Sequence, residues 1–152
     1  MPGHSFNVRH ARHWARRLAM QALYQWQLTG QNLCEIEAQF LDYEDMHKAD
    51  IDYFRELLHR VPACLHELDA QLGAYLSRPI NDVDPVERAI LRNACYELMH
   101  RLDVPYRVVI NEAVNLTKRF GAEQGHKFVN GVLDKLVTLQ RKQEVDLVPN
   151  QV

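Results

Sequence analysis

Apolar residues recur at spacings of three and four along almost the whole chain, and that pattern decides the fold class. From residue 9 or 12 to about 28 the stripe is Ala15, Leu18, Ala19, Ala22, Leu23 and Trp26, closed by Gly30, a residue that ends helices readily. A short helix over about 33–41 follows, with Asn32 as its N-cap. Ile51, Phe54, Leu57 and Leu58 mark another over about 49–60. Pro62, suited to a first helical turn, is read as opening the next, which reaches about residue 75 with Leu65, Leu68 and Leu72 apolar. Residues 77–83 form a connector and the subdomain boundary. Asp84, Pro85 and Glu87 then spell a helix start, with an acidic cap, proline at the first position and an acid at the third. That helix runs to about 101, with Ile90, Leu91, Ala94, Cys95, Leu98 and Leu102 on one face. Two more follow, over about 106–120 and 125–141. The spacing indicates no strand, and six Gly and six Pro are too few for a turn-rich all-β chain of 152 residues. The expected architecture is all-α, about seven helices in two packed helical bundles. Residues 1–143 make one domain with subdomains of about 1–77 and 84–143, and 144–152 are a frayed tail.

Several function classes fall away on pattern. No apolar run approaches the roughly 18 residues of a membrane span. The N-terminus is basic without an apolar stretch behind it, unlike a secretory signal. It shares an Arg-rich, acid-free character with mitochondrial presequences, yet it carries core packing. Cys34, Cys64 and Cys95 form no CxxC, which argues for a reducing, cytoplasmic compartment and against a disulfide framework or structural zinc. His59 and His66 lie near Cys64 at no recognised ligand spacing, so no metal and no cofactor is expected. HExxH, GxSxG, GxGxxG and GxxxxGK[ST] are all missing, and no enzymatic activity is expected.

The formal charge of -2 at first speaks against a nucleic-acid partner, but it averages two unlike parts. Residues 1–34 hold Arg9, Arg12, Arg16 and Arg17 with His4, His10 and His13 and no acid, which leaves 14 bases against 20 acids in the remainder. At 100° per residue, Arg9, Arg12, His13 and Arg16 share one flank of the first helix, bordered by Arg17 and Tyr24. Such a face can track phosphates and offer a ring for stacking. Solvated arginines, or arginines paired with acids of the body, fit the charge alone equally well. Arg88 and Arg92, four apart, read either as surface ion pairs or as a second basic site. Residues 121–128, bounded by Gly121 and carrying Gln124, Lys127 and Phe128, read as a turn whose backbone N–H groups can meet phosphate or as an ordinary connection with Phe128 in the core.

Several strings carry a resemblance. They are Ala22-Leu23-Tyr24-Gln25-Trp26-Gln27, Tyr53-Phe54-Arg55-Glu56-Leu57-Leu58, Val86-Glu87-Arg88-Ala89-Ile90-Leu91-Arg92, Val104-Pro105-Tyr106, Ile110-Asn111-Glu112-Ala113 and Lys127-Phe128-Val129-Asn130-Gly131-Val132-Leu133-Asp134. In order and spacing the chain resembles the NusB family of bacterial transcription antitermination factors from about 9 to 139. The resemblance implies two helical bundles and binding of boxA, a single-stranded element of ribosomal RNA transcripts. It implies a heterodimer with the ribosomal protein NusE, and assembly with other Nus factors on RNA polymerase to suppress termination. It places RNA contacts at Arg9, Arg12, His13, Arg16, Arg17, Tyr24, Arg88, Arg92, Gln124, Lys127 and Phe128, with Tyr75 and Glu87 facing RNA or the partner. Histidines interrupt what is often a longer arginine run in the family. Because histidine loses its charge near neutrality, RNA affinity is expected to be weaker at about pH 8 than at about pH 6. Two other readings stay open: a protein–protein adaptor or homodimer that masks the basic face, and a relative of the helical domain fused to ribosomal RNA methyltransferases. The latter needs a methyl-donor domain for which 152 residues leave no room.

Overall fold

The computed structural model describes residues 7–147. Eight α-helices and two short 3-10 turns make up the described chain, and no strand occurs among the described residues. The helices are α1 (Val8–Thr29), α2 (Leu33–Leu41), α3 (Ile51–Ala63), α4 (Leu65–Gly73), α5 (Pro85–His100), α6 (Tyr106–Phe120), α7 (Gly125–Gln140) and α8 (Lys142–Leu147). They fall into two compact units, Met1–Ala63 and Cys64–Val152.

In the first unit α1 packs chiefly on α3, with α2 and the turn Glu44–Lys48 closing its sides. Asn7 caps α1 by accepting from the His10 N–H at 3.1 Å. Gly30 ends it in the left-handed region, φ 67°, where a side chain is disfavoured, and its N–H returns to Trp26 O. Ala15, Leu18, Ala19 and Leu23 of α1 are buried, as are Ile36, Phe40, Phe54, Leu57 and Leu58. Asn32 caps α2 as the sequence implies, accepting from the Cys34 and Glu35 N–H groups. Pro62 differs from expectation, since it lies inside α3, one residue before its end, and does not open α4. There it forfeits one hydrogen bond of the last turn and the helix stops.

The second unit is organised around α5, which packs on α4, α6 and α7. Asp84 caps it as expected, its carboxylate accepting from the N–H groups of Val86 and Glu87. The sequence predicts one apolar face, but every residue from Ala89 to Leu98 is buried. Three neighbouring helices cover the whole circumference, so Arg92, Asn93 and Glu97 are enclosed as well. Leu102 lies past the end of α5 and is 68% exposed, so it is not part of that face. The connector 77–83 lies within this unit and does not divide the chain, because α4 before it packs on α5 after it. Residues 142–147, expected to fray from 144 onward, continue as α8, while 148–152 and His4 lie outside the described residues.

The end of the second unit is tied by Arg141, which is 4% exposed. Its Nε donates to Leu98 O at 2.7 Å, Nη1 to Val104 O at 3.1 Å, and Nη2 to Glu97 O at 3.2 Å and Arg101 O at 3.0 Å. Nη1 also meets the Glu144 carboxylate, whose other oxygen accepts the Tyr106 N–H at 2.9 Å. One guanidinium thus gathers four carbonyls at the end of α5, two of which, Glu97 O and Arg101 O, also accept a backbone N–H, and α8 holds Glu144 beside it.

Candidate nucleic-acid interface

In the first unit Arg12, Arg16 and Arg17 of α1 are laid over aromatic rings. The Arg12 guanidinium sits 4.5 Å from the centre of the Tyr53 ring and 3.9 Å from the Asp50 carboxylate. Asp50 also accepts the Tyr53 N–H, so the start of α3 fixes both ring and counter-ion. Arg16 lies 5.5 Å from the same ring and is 5% exposed. Its place is beneath the surface, where it supports Arg12 and Tyr53, because α1 turns that position toward α3. Arg17 stacks on Trp14 at 4.6 Å. Lys48, from the turn after α2, stands over the same indole at 4.5 Å. His13 is edge-on to Trp14 and stacked on His10. Arg9 and His10 are exposed at the helix start, and Tyr24 is exposed further along the same helix. Stacking on a ring fixes the orientation of a guanidinium, and Arg12 and Arg17 are both held in this way.

The remaining expected residues belong to the second unit. Arg92 is not a surface cation. It is 4% exposed and grips Asp69 of α4 through two hydrogen bonds of 2.9 Å, Nε to Oδ1 and Nη2 to Oδ2. Arg88 is half-buried one turn earlier, and burial together with the nearby charge of Arg92 lowers its pKa from the usual arginine value. Glu87 is 3% exposed, so it cannot meet a partner directly. Its carboxylate accepts the Ala122 N–H at 3.1 Å and holds the turn between α6 and α7. A Cβ on Gly125 would stand 2.2 Å from Glu87 Oε2, so a side chain there would have to displace the Glu87 carboxylate. Within that turn Gln124 is exposed at φ 66°, an uncommon conformation for a residue with a side chain. Lys127 is exposed, and Phe128, half-buried, carries the Arg78 guanidinium 4.9 Å above its ring. Tyr75 is half-buried just after α4.

Lys48 and Arg78 are the cations that sequence reasoning misses. Each sits in a short irregular segment without helical periodicity, and only an aromatic partner distant in sequence gives it a place. Of the two cations over Trp14, Arg17 is legible in the arginine run and Lys48 is not.

A unit built only of helices, with an acid-free helix whose arginines are braced on rings, defines a helical protein with a cationic face suited to nucleic acid. Comparison with known families matches residues 13–138 to the NusB family. Transcription antitermination protein NusB of Shewanella halifaxensis is 57% identical over 127 residues, 84% of this chain and 94% of that protein. NusB of T. maritima is similar in structure, with a TM-score of 0.77 at 30% identity over 90% of this chain and 97% of that one. A crystal structure of antitermination factors NusB and NusE in complex with double-stranded RNA matches with a TM-score of 0.72 at 29% identity, over 83% of this chain and 95% of that one. The chain belongs to the NusB family, and the similar curated proteins are transcription antitermination proteins. No helix among the described residues is long and apolar enough to cross a membrane.

Proposed function

We propose that this protein is a cytoplasmic transcription antitermination factor. It binds the single-stranded boxA element of ribosomal RNA operons together with the ribosomal protein NusE, and it acts with other Nus factors on RNA polymerase. The observation that carries the reading is the acid-free face of α1, braced by Tyr53 and Trp14, in a chain of the NusB family. On that face Arg9, Arg12, His13, Arg17 and Tyr24 are the RNA contacts, with Lys48 added and Arg16 as a buried support. The second unit offers its own surface through Gln124, Lys127 and Phe128, with Arg88 assigned to RNA as well and Arg92 buried against Asp69. Tyr75 is assigned to the NusE partner, and Glu87 positions the turn. Affinity comes mostly from phosphate contacts, while specificity comes from unstacked bases meeting rings and polar groups.

The test is binding to a boxA-like single strand, a scrambled strand and the boxA duplex, each with and without NusE. Preference for the boxA strand, strengthened by NusE, is the expected result. Equal affinity for all three with NusE present refutes sequence-selective recognition.

A further inference from the structure

Cys64, Glu67 and His100 lie outside every surface described above, and we propose that they bind one zinc(II) ion. Cys64 is the N-cap residue of α4 and Glu67 its third residue, so the two share a face of the first turn. His100 is the last residue of α5, the helix on which α4 packs. Its Nε2 is 2.8 Å from Glu67 Oε1, and the thiol sulfur, the carboxylate oxygen and the imidazole nitrogen all lie within 4.8 Å of one another. Zinc bonds of about 2.0–2.3 Å in a tetrahedral site set ligand atoms roughly 3.3–3.8 Å apart. The three therefore need only small side-chain rotations, which the half-exposed positions of Glu67 and His100 permit.

The donor set selects the metal class. One sulfur and one nitrogen disfavour calcium and magnesium, which take oxygen, and suit zinc among the borderline cations. Three protein ligands leave the fourth position to water, as in open zinc sites. The surroundings favour a cation. His100 stands at the negative end of α5. The Tyr96 ring lies 5.1 Å from that of His100 and orients it. On binding, the S–H bond of Cys64 breaks, its proton goes to solvent and a sulfur–zinc bond forms.

The test uses the full chain, with zinc(II) titrated against a chromogenic chelator and cobalt(II) as a spectroscopic probe. One equivalent of zinc is expected, with a thiolate-to-cobalt charge-transfer band and the visible bands of a tetrahedral ion. Cys64→Ser removes the band. Cys64→Ser, Glu67→Gln and His100→Gln each weaken zinc binding at least about tenfold, the least cost seen even for groups behind the ligands. Cys34→Ser leaves both readouts unchanged. Thermal melts confirm that the variants fold. No thiolate band in the unaltered protein, or an affinity unmoved by Cys64→Ser and His100→Gln, overturns the proposal.

Discussion

Replacing Arg141 by Met keeps much of the buried stem and removes the guanidinium alone. The change strips hydrogen bonds from the carbonyls of Glu97, Leu98, Arg101 and Val104 and leaves the Glu144 carboxylate without its cation. Each bond to a charged group is worth about 1.5–3 kcal/mol. They share one side chain and do not add, so the loss expected is about 3–5 kcal/mol, as when a buried charge loses its partner. Against a typical stability of about 5–15 kcal/mol that is a large fraction. For a chain of this size it lowers Tm by roughly 10 °C. Both tryptophans, Trp14 and Trp26, lie in the first unit, so far-UV circular dichroism, which reads all the helices, is the appropriate probe in urea and thermal unfolding. Arg141→Lys is expected to fall between, because an ammonium cannot span acceptors arranged around a planar fork. A loss below about 1 kcal/mol for Arg141→Met refutes the view that this side chain closes the end of α5.

Three further outcomes rest on other side chains. Arg92→Met should destabilise by about 2–3 kcal/mol, the low side for a broken buried pair because Asp69 keeps some water. It should leave the salt dependence of RNA binding unchanged, and a shallower salt dependence would return Arg92 to the RNA surface. Gly125→Ala forces Glu87 off the turn and should cost about 1–3 kcal/mol, measured by urea unfolding, while Gly131→Ala, where a Cβ meets open space, should be neutral or stabilising. Burial works to raise the Glu37 carboxyl, but hydrogen bonds and charge from His59 and Arg55 prevail and lower its pKa. A lowered value means that its stabilisation is present above the ordinary carboxylate range and is lost as pH falls through the lowered value. Glu37→Gln should therefore flatten the acid limb of a Tm-against-pH curve, and an unaltered limb refutes the pairing.

The helices themselves were legible because period and punctuation agree: Asn32, Asp84 and Gly30 perform the capping and stopping that their residue types imply. Pro62 misleads, since proline is tolerated at a helix's first turn and also near its end, and local sequence does not separate the two. The burial of α5 on all sides was not legible, because Arg92, Glu97 and Asn93 look like a solvent face until α4, α6 and α7 surround them. The cationic face of α1 could be read from spacing alone. Which of its arginines lie outward could not, for the burial of Arg16 and the placing of Arg12 over Tyr53 and beside Asp50 are set by α3 and the residue before it. Arg141 showed only as a helix end, since its acceptors lie some 40 residues away.

The central claim is that phosphates are held by the outward cations of α1. The direct measurement is the salt dependence of boxA strand binding by the NusE complex, for the unaltered protein and for Arg9→Gln with Arg17→Gln. The log–log slope is predicted to become shallower by about 0.7 for each phosphate on the single strand that the double variant no longer neutralises. An affinity and a slope that both stay at the unaltered values would contradict it.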